Sequence, residues 1–161
     1  MGGPRRLRQG GRRATDARFL IRPARLADVA PVAAIERASF SDPWSERDFR
    51  DCVASGVPFL IAVEDASVAG YVIARHAVDE AEIQNLGVDP ARRRHGAGRV
   101  LVTAMLATLR ERGVAAVFLE VRESNTVAQH LYAGLGFTRV GRRRHYYRFP
   151  TEDAVILRAP I

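Results

Sequence analysis

An arginine-rich turn that opens a long helix is the part of the sequence best suited to binding an anion. Residues 88–99 run from the end of an apolar strand through three consecutive arginines to a Gly-x-Gly pair. Gly96 and Gly98 let backbone N–H groups approach a ligand closely, and the positive end of the helix dipole lies at the same place. The pattern predicts a phosphate-binding loop, while a solvated basic turn with ordinary glycines explains it equally well.

The loop differs from two common phosphate-binding motifs. No Gly-Lys-Ser/Thr sequence follows the glycines, so the segment is not the P-loop of nucleoside triphosphatases. Leu101 stands where the dinucleotide-binding motif requires its third glycine. The side chains that could reach a phosphate here are Arg92, Arg93, Arg94, His95 and Arg99.

A carboxylate inside an apolar strand is the second candidate for chemistry. Glu120 lies between Leu119 and Val121, and Asn125 and Tyr132 follow on the next predicted helix. Because desolvating a carboxylate is costly unless it is paired or used, Glu120 is a candidate general base. The structural alternatives are that Glu120 pairs with an arginine of a neighbouring strand and that Tyr132 packs its ring against the sheet.

These residues must be positioned by a mixed α/β framework. Hydrophobic periodicity and turn residues predict the order β-α-α-β-β-β-α-β-α-β-β, which describes one domain with helices crossing over a central sheet. Asp28 and Ser45 are the predicted caps of the first two helices. The predicted strands are 19–21, 59–64, 68–75, 80–88, 114–121, 137–140 and 154–157, and the predicted helices are 29–40, 46–53, 96–112 and 125–134.

The charge of the chain is concentrated at one end. All 25 basic residues are arginines, and 18 acidic residues bring the net charge to +7 over 161 residues. Residues 1–18 hold six arginines and one aspartate among glycines, so this segment alone carries +5. We expect residues 1–18 to be a flexible tail and residues 19–161 to be the folded domain. An organellar transit peptide is a minor alternative for the tail.

Composition excludes several classes of protein. Cys52 is the single cysteine, so an internal disulfide or a thiolate cluster is excluded, and we expect it to be a small buried hydrophobe. No apolar run approaches the roughly 20 residues of a membrane span, and the N-terminus lacks the apolar core of a secretory signal. We expect a cytoplasmic protein without a membrane partner. No metal is expected, because metal-ligand spacing is absent among His76, His95, His130 and His145.

Taken together, these segments resemble the GNAT superfamily of N-acetyltransferases. Residues 93–98 resemble its Gln/Arg-x-x-Gly-x-Gly/Ala acetyl-CoA loop, and residues 119–125 and 131–137 resemble the strand and helix that follow. The resemblance covers about residues 19–161. It extends to the RimI-type enzymes, which acetylate the N-terminal alanine of the eighteenth small-subunit ribosomal protein, over residues 42–45, 79–81, 85–90, 143–147 and 152–154.

The resemblance implies a fold, a cosubstrate and a role for each matching position. The implied fold is a single mixed central sheet with a splay between its fourth and fifth strands, where acetyl-CoA binds, and helices on both faces. Glu120 is implied to be the general base and Tyr132 the general acid. The implied cofactor-binding residues are Leu86, Gly87, Val88, Arg93, Arg94, His95, Gly96, Ala97, Gly98, Arg99 and Asn125, and those bordering the peptide are Trp44, Tyr146 and Tyr147.

The sequence departs from the family pattern at three places. Arg93 stands where glutamine is commoner, which keeps hydrogen-bond donors and adds charge. Gly87 is expected to loosen its strand at the splay, as a bulge. The arginine-rich tail matches no required element of the family, and a contact with the ribosome is one hypothesis for it. Trp44 is predicted equally well to be a packing anchor between the first two helices.

Two other functions stay open at this point. The first is a GNAT enzyme that acetylates a different protein N-terminus or a small amine. The second is a ribosome- or RNA-binding module that uses the tail and Arg142–Arg144 and keeps the acyl-CoA fold as a relic. The oligomeric state is not predicted.

Overall fold

The structure, a computed structural model, describes residues 18–161. The predicted tail, apart from Arg18, lies outside the described residues. The strands are β1 Leu20–Pro23, β2 Phe59–Glu64, β3 Ser67–Ala77, β4 Glu80–Val88, β5 Ala116–Arg122, β6 Thr138–Tyr147 and β7 Glu152–Pro160. The helices are α1 Val29–Ser39, α2 Glu46–Ser55, α3 Ala97–Glu111 and α4 Thr126–Gly134.

The strands form one mixed sheet in the order β1-β2-β3-β4-β5-β7-β6. β4 and β5 run parallel, and every other neighbouring pair is antiparallel. The predicted order of elements is confirmed. β6 and β7 are longer than predicted. β6 is an exposed edge strand that carries arginines instead of alternating apolar residues, so its sequence lacks the usual strand pattern.

The two parallel strands separate part-way along their length. Their pairing runs from Glu80 opposite Ala116 to Ile83 opposite Leu119, whereas β4 continues to Val88 and β5 to Arg122. The splay expected between the fourth and fifth strands is therefore confirmed.

The bulge expected at Gly87 lies elsewhere, so that prediction is wrong. Between β3 and β4 the register moves from Ile73 opposite Asn85 to Ala74 opposite Ile83, which leaves Gln84 as the extra residue. Gly87 itself is in register opposite Tyr71. The added residue bends β4 where it starts to leave β5, which is the effect that bulges have on a strand.

Helices cover both faces of the sheet, as expected. One core joins α3 and α4 to alternate residues of the central strands, among them Val72, Leu119 and Val121. The other core joins α1 and α2 to the opposite face of β2 and β3 and contains the buried thiol of Cys52, whose predicted burial is confirmed. No helix within residues 18–161 has the length and apolarity to cross a bilayer.

The two predicted helix caps have different outcomes. Ser45 caps α2, since its hydroxyl accepts a hydrogen bond from the Asp48 amide at 3.2 Å. Asp28 occupies the N-cap position of α1, but its side chain makes no cap hydrogen bond to that helix. Its buried carboxylate instead accepts hydrogen bonds from the Arg22 guanidinium at 2.8 and 2.9 Å and from the Arg25 amide at 2.7 Å.

Candidate active site

The arginine-rich turn forms a backbone cradle at the start of α3. After β4 ends, a short 3-10 turn over Pro90–Arg92 leads to Arg94 at φ +66° and Gly96 at φ +86°. Gly96 stands at the N-cap position of α3 and has no side chain to cap the helix. The first backbone N–H groups of α3 therefore stay available to a ligand. The left-handed conformation of Gly96 is one that glycine adopts without steric cost.

The arginines of this turn divide into two groups. Arg92 is bound to the fold: it donates to the Glu64 carbonyl at 2.9 Å and lies 3.7 Å from Asp89. Arg93 donates to the Val88 carbonyl at 3.2 Å and to the Ser39 hydroxyl at 2.9 Å. The second group is Arg94 and Arg99, whose side chains are exposed. Neither guanidinium forms an ion pair within residues 18–161. His95 is also exposed, with its Nδ1 3.4 Å from the Arg18 guanidinium.

The end of β4 lines one side of the splay. Leu86 and Val88 are half-buried and pack against the core beneath α3. Gly87 is buried, and a Cβ atom built on it would lie 2.4 Å from the Tyr71 hydroxyl oxygen. Gly87 is therefore required by the close approach of the Tyr71 ring. Gly98 is less crowded, since a Cβ there would lie 3.4 Å from Leu131.

Glu120 borders the splay from the face that carries α1 and α2. Its neighbours Leu119 and Val121 point into the opposite core, so strand alternation directs Glu120 to this face. The side chain is 11% exposed, and its Oε1 lies 2.5 Å from the Nε of Arg143 on β6. Pairing with an arginine, the structural alternative, is thus present, although Arg143 comes from two strands away.

Glu120 also lines a cavity of about 470 Å³ on this face. Glu80, Glu82, Arg75 and Arg143 contribute the other charges of its wall. Burial, with the nearby charge of Glu120, raises the pKa of the Glu82 carboxyl. The cavity therefore places acidic groups where a cationic amine could approach Glu120.

Tyr132 approaches the sheet from the other face. It is 5% exposed and packs edge-on against Phe137, with ring centroids 5.4 Å apart. Burial, with the nearby Tyr147 hydroxyl, raises the pKa of Tyr132, so the hydroxyl keeps its proton at neutral pH. The structure therefore places Glu120 and Tyr132 on opposite faces of the sheet.

Asn125 has a structural task at the start of α4. Its Oδ1 accepts a hydrogen bond from the Ala128 amide at 3.1 Å, which caps the helix. Capping uses the side-chain oxygen and leaves the Nδ2 donor for another partner.

The two tyrosines at the end of β6 form a T-shaped pair. The ring centroids of Tyr146 and Tyr147 are 5.0 Å apart at an interplanar angle of 88°. Hydrogen bonding to the Glu120 carboxylate raises the pKa of Tyr146 to about 12, and burial raises the pKa of Tyr147. The pair thus lies beside the candidate base.

Comparison with known proteins shows the family to which the chain belongs. Residues 29–137 match the acetyltransferase (GNAT) family. The chain belongs to this family. It is 37% identical to the [ribosomal protein bS18]-alanine N-acetyltransferase of Escherichia coli strain K12 over 138 residues, which cover 83% of this chain and 92% of that protein. A putative enzyme of the same name from Bacillus subtilis strain 168 is 32% identical over 139 residues, or 85% and 92% of the two chains.

Solved structures of GNAT proteins share the fold. The ribosomal-protein-S18-alanine N-acetyltransferase from Escherichia coli superposes with a TM-score of 0.83 at 34% identity, covering 89% of this chain and 94% of that one. Ard1 from Thermoplasma volcanium gives a TM-score of 0.84 at 26% identity, covering 89% and 98%. The NatC complex, solved with a Gag peptide and CoA, gives 0.79 at 25% identity over 89% and 98%.

Two parts of this GNAT site were not found by sequence reasoning. Arg122 holds the β6–β7 loop by donating to the carbonyls of Arg148 at 2.8 Å and Pro150 at 3.0 Å, and its guanidinium lies 4.5 Å from the Tyr147 ring centroid. Glu36, 2% exposed, supports the turn that carries Trp44. Helical spacing could have found Glu36, because it continues the buried stripe of α1.

Trp44 is a packing residue of this GNAT domain. Its ring is half-buried and lies 5.5 Å from that of Phe49 on α2, and its backbone amide donates to Glu36 at 3.1 Å. The packing-anchor alternative is therefore confirmed. A metal-binding group of three or more His, Cys, Asp or Glu side chains does not occur among the residues that the structure describes.

Proposed function

We propose that this GNAT protein is an acetyl-CoA-dependent N-alpha-acetyltransferase that modifies the N-terminal alanine of ribosomal protein bS18. The observation that carries the proposal is the placement of Glu120 at the start of the splay and of Tyr132 on the opposite face of the sheet, with a cavity of mixed charge on the Glu120 side. Support for the substrate comes from the curated relatives that bear this activity in their names. The cytoplasm is the proposed location, since ribosomal proteins are its substrates.

The splay is the proposed site of acetyl-CoA. β4 leaves β5 after Ile83, so main-chain groups of Leu86, Gly87 and Val88 lack a β5 partner and can hold the pantetheine arm and the thioester carbonyl. The uncapped start of α3 and the arginines without ion pairs fit a pyrophosphate. Asn125 has its Nδ2 available for the cofactor arm. The proposed pyrophosphate-binding residues are Arg94, His95, Gly96, Ala97, Gly98 and Arg99, and Arg93 is proposed to border the cofactor.

The proposed proton transfers run in opposite directions on the two faces. Glu120 accepts a proton from the α-ammonium group, directly or through one water, and the free amine attacks the thioester carbon. Tyr132, which is protonated at neutral pH, donates to the departing thiolate. The second proton that the nitrogen loses as the amide forms passes to water, from which Tyr132 is reprotonated. A strand N–H would stabilise the oxyanion. No acyl-enzyme forms, because the amine reaches the thioester directly.

An α-amino group suits this base better than a lysine side chain does. Deprotonating an α-amino group at neutral pH costs about 1 kcal/mol, whereas a lysine ammonium group costs about 5 kcal/mol. The chemistry therefore favours protein N-termini over side chains.

The peptide entrance is proposed to lie between Trp44 and the tyrosine pair. Tyr146 is 48% exposed and borders Glu120, while Arg122 holds Tyr147 and the β6–β7 loop in place. A peptide that extends from the amine would pass over these rings. Arginines of the tail are proposed to contact the ribosome through its phosphates, since residues 1–17 hold five arginines and one aspartate.

The test is a mass spectrum of peptide products after incubation with acetyl-CoA. The substrate peptide begins with alanine and contains an internal lysine, and the control peptide has the same sequence with a blocked N-terminus. We expect a single acetyl group on the α-amine of the first peptide and none on the second. Acetylation of only the lysine or of small polyamines would overturn the assigned substrate and leave a GNAT enzyme for another amine.

Two variants test the assigned roles. Glu120→Gln and Tyr132→Phe should each lower kcat by roughly 10²- to 10⁴-fold, the usual contribution of a general acid or base. Calorimetry should show CoA binding within about twofold of wild type, since neither variant removes a main-chain contact. Wild-type rates would remove these residues from the mechanism. Binding of RNA without any thiol release from acetyl-CoA would instead support the relic alternative.

A further inference from the structure

A buried carboxylate without a cationic partner lies between the peptide side and the cofactor side of the proposed site. Glu36 on α1 is 2% exposed, and no ion pair within residues 18–161 involves it. Its hydrogen bonds come from neutral groups instead. A buried carboxylate is costly, so the groups that stabilise it hold defined positions.

Three donors converge on Glu36 from three different segments. Oε1 accepts from the Trp44 backbone amide at 3.1 Å, and Oε2 accepts from Asn85 Nδ2 at 3.0 Å. Oε2 also accepts a short hydrogen bond from the Tyr71 hydroxyl on β3. Burial, together with the Glu36 charge, raises the pKa of Tyr71, so this hydroxyl stays a donor.

Two of these donors belong to segments that border the two proposed substrates, the peptide and acetyl-CoA. Trp44 belongs to the α1–α2 turn, residues 40–45, on the peptide side. Asn85 directly follows the bulged Gln84 and begins the splayed end of β4, residues 85–88, on the cofactor side. Tyr71 packs against Gly87 in the same splayed end. One carboxylate thus ties the peptide-side turn to the cofactor-side strand.

We propose that Glu36 is a positioning residue that sets the spacing between the peptide amine and the thioester. The inference rests on the proposed function and deepens it. Glu36 touches neither substrate; it acts through Trp44 and Asn85. The Arg93–Ser39 hydrogen bond, at 2.9 Å, adds a second link between the end of α1 and the phosphate loop. A displacement of about 1 Å between reactants can cost 10²-fold in rate.

The first test is Glu36→Gln, which keeps the shape of the side chain. The introduced amide can still accept from the Trp44 amide, but its NH₂ group takes the place of the Oε2 acceptor. The Asn85 NH₂ group and the Tyr71 hydroxyl therefore lose the atom to which they donate. We expect kcat/KM for the alanyl peptide to fall by roughly 10- to 100-fold. We also expect weaker CoA binding by calorimetry, by several-fold, while Glu120→Gln leaves CoA binding unchanged.

A second variant separates positioning from loss of stability. Glu36→Gln combined with Asn85→Asp reverses the hydrogen bond, because the introduced amide then donates to the introduced carboxylate. We expect this double variant to recover most of the kcat/KM that the single variant loses. Asp28→Asn is the matched control, since Asp28 is a similarly buried carboxylate, at 6% exposure, that precedes α1 and pairs with Arg22 of β1. It should lower Tm while kcat and KM stay within about twofold.

The outcomes decide the inference separately from the proposed function. Wild-type kinetics and CoA affinity in a folded Glu36→Gln variant, or a folded double variant with no recovery, would overturn the positioning role. If wild type acetylates no N-terminal amine but binds CoA, the proposed function fails. The CoA affinities of the single and double variants then decide whether Glu36 positions the cofactor-side strand.

Discussion

Arg143 lies beside Glu120, where the proposed mechanism brings the ammonium group of the peptide. Its Nε lies 2.5 Å from the carboxylate, and its side chain is 58% exposed, so it is free to swing toward solvent. On the proposed function, the guanidinium competes with the positively charged N-terminus of the peptide for the carboxylate. A substrate would then displace one cation with another.

Arg143→Gln tests this competition. Removing the guanidinium should lower the peptide KM by about two- to fivefold, since an ion pair whose arginine is exposed to solvent is worth up to about 1 kcal/mol. Arg144→Gln is the matched control, because it removes the same charge from the adjacent, exposed residue of β6. Initial-rate kinetics over a range of peptide concentrations provides the measurement. Equal changes in the two variants would show that net charge, and not the ion pair, sets the KM.

Individual residues differ in how well the sequence could place them. Gly96 and the arginines beside it form a local motif, so their position at the start of α3 follows from nearest neighbours. The partners of Glu36 depend on strand register, and the bulge at Gln84 shifts that register by one residue. Sequence spacing contains no signal for such a shift. Arg143 reaches Glu120 across β7, a contact that needs the full strand order.

At the scale of elements, the close contact between β3 and β4 matters most for the site. Gly87 leaves room for the Tyr71 ring, and that ring in turn supports Glu36. The side chains of Leu86 and Val88 point to the other core. Packing on one face of β4 therefore controls the strand whose edge is proposed to bind acetyl-CoA.

Gly87→Ala tests the importance of this contact. The added Cβ would lie 2.4 Å from the Tyr71 hydroxyl oxygen, so the ring or the strand must move. We expect a loss of about 1–3 kcal/mol in the free energy of unfolding, the range for overpacked cores, and weaker CoA binding. Denaturant unfolding and calorimetry measure the two effects.

Gly134→Ala is the control for this change. Gly134 ends α4, and its added Cβ would lie 3.6 Å from the Arg99 guanidinium, an ordinary contact. Alanine should preserve or raise stability there, because it favours helix more than glycine does. A stable Gly87→Ala variant with normal CoA affinity would contradict the proposed role of the Tyr71 contact.

The whole molecule carries its charge unevenly, and this bears on its partners. Residues 1–17 hold five arginines and one aspartate, which leaves +3 of the +7 on residues 18–161. Several arginines of the domain are paired with acids, among them Arg22, Arg122 and Arg142. The tail thus carries more than half of the net positive charge, which suits it to contacts with the phosphates of RNA.

A chain that begins at Arg18 tests the tail. We expect kcat and KM on a short alanyl peptide to stay within about twofold of the full chain. Affinity for small ribosomal subunits should fall. The slope of log affinity against log salt should become shallower by up to about 4, because the shorter chain no longer neutralises five phosphates. A full chain with the five arginines changed to glutamine is the control for length. An unchanged salt slope in both proteins would exclude the tail from ribosome binding.

The open splay links the stability of this protein to the supply of acetyl-CoA in the cell. Backbone groups of β4 beyond Ile83 have no β5 partner, so on the proposed function the cosubstrate completes the sheet as an absent strand would. A ligand that binds only the folded state adds about 2.7 kcal/mol of stability at a hundredfold excess over its Kd. The lifetime of this protein against proteolysis would therefore rise and fall with the metabolic state of the cell.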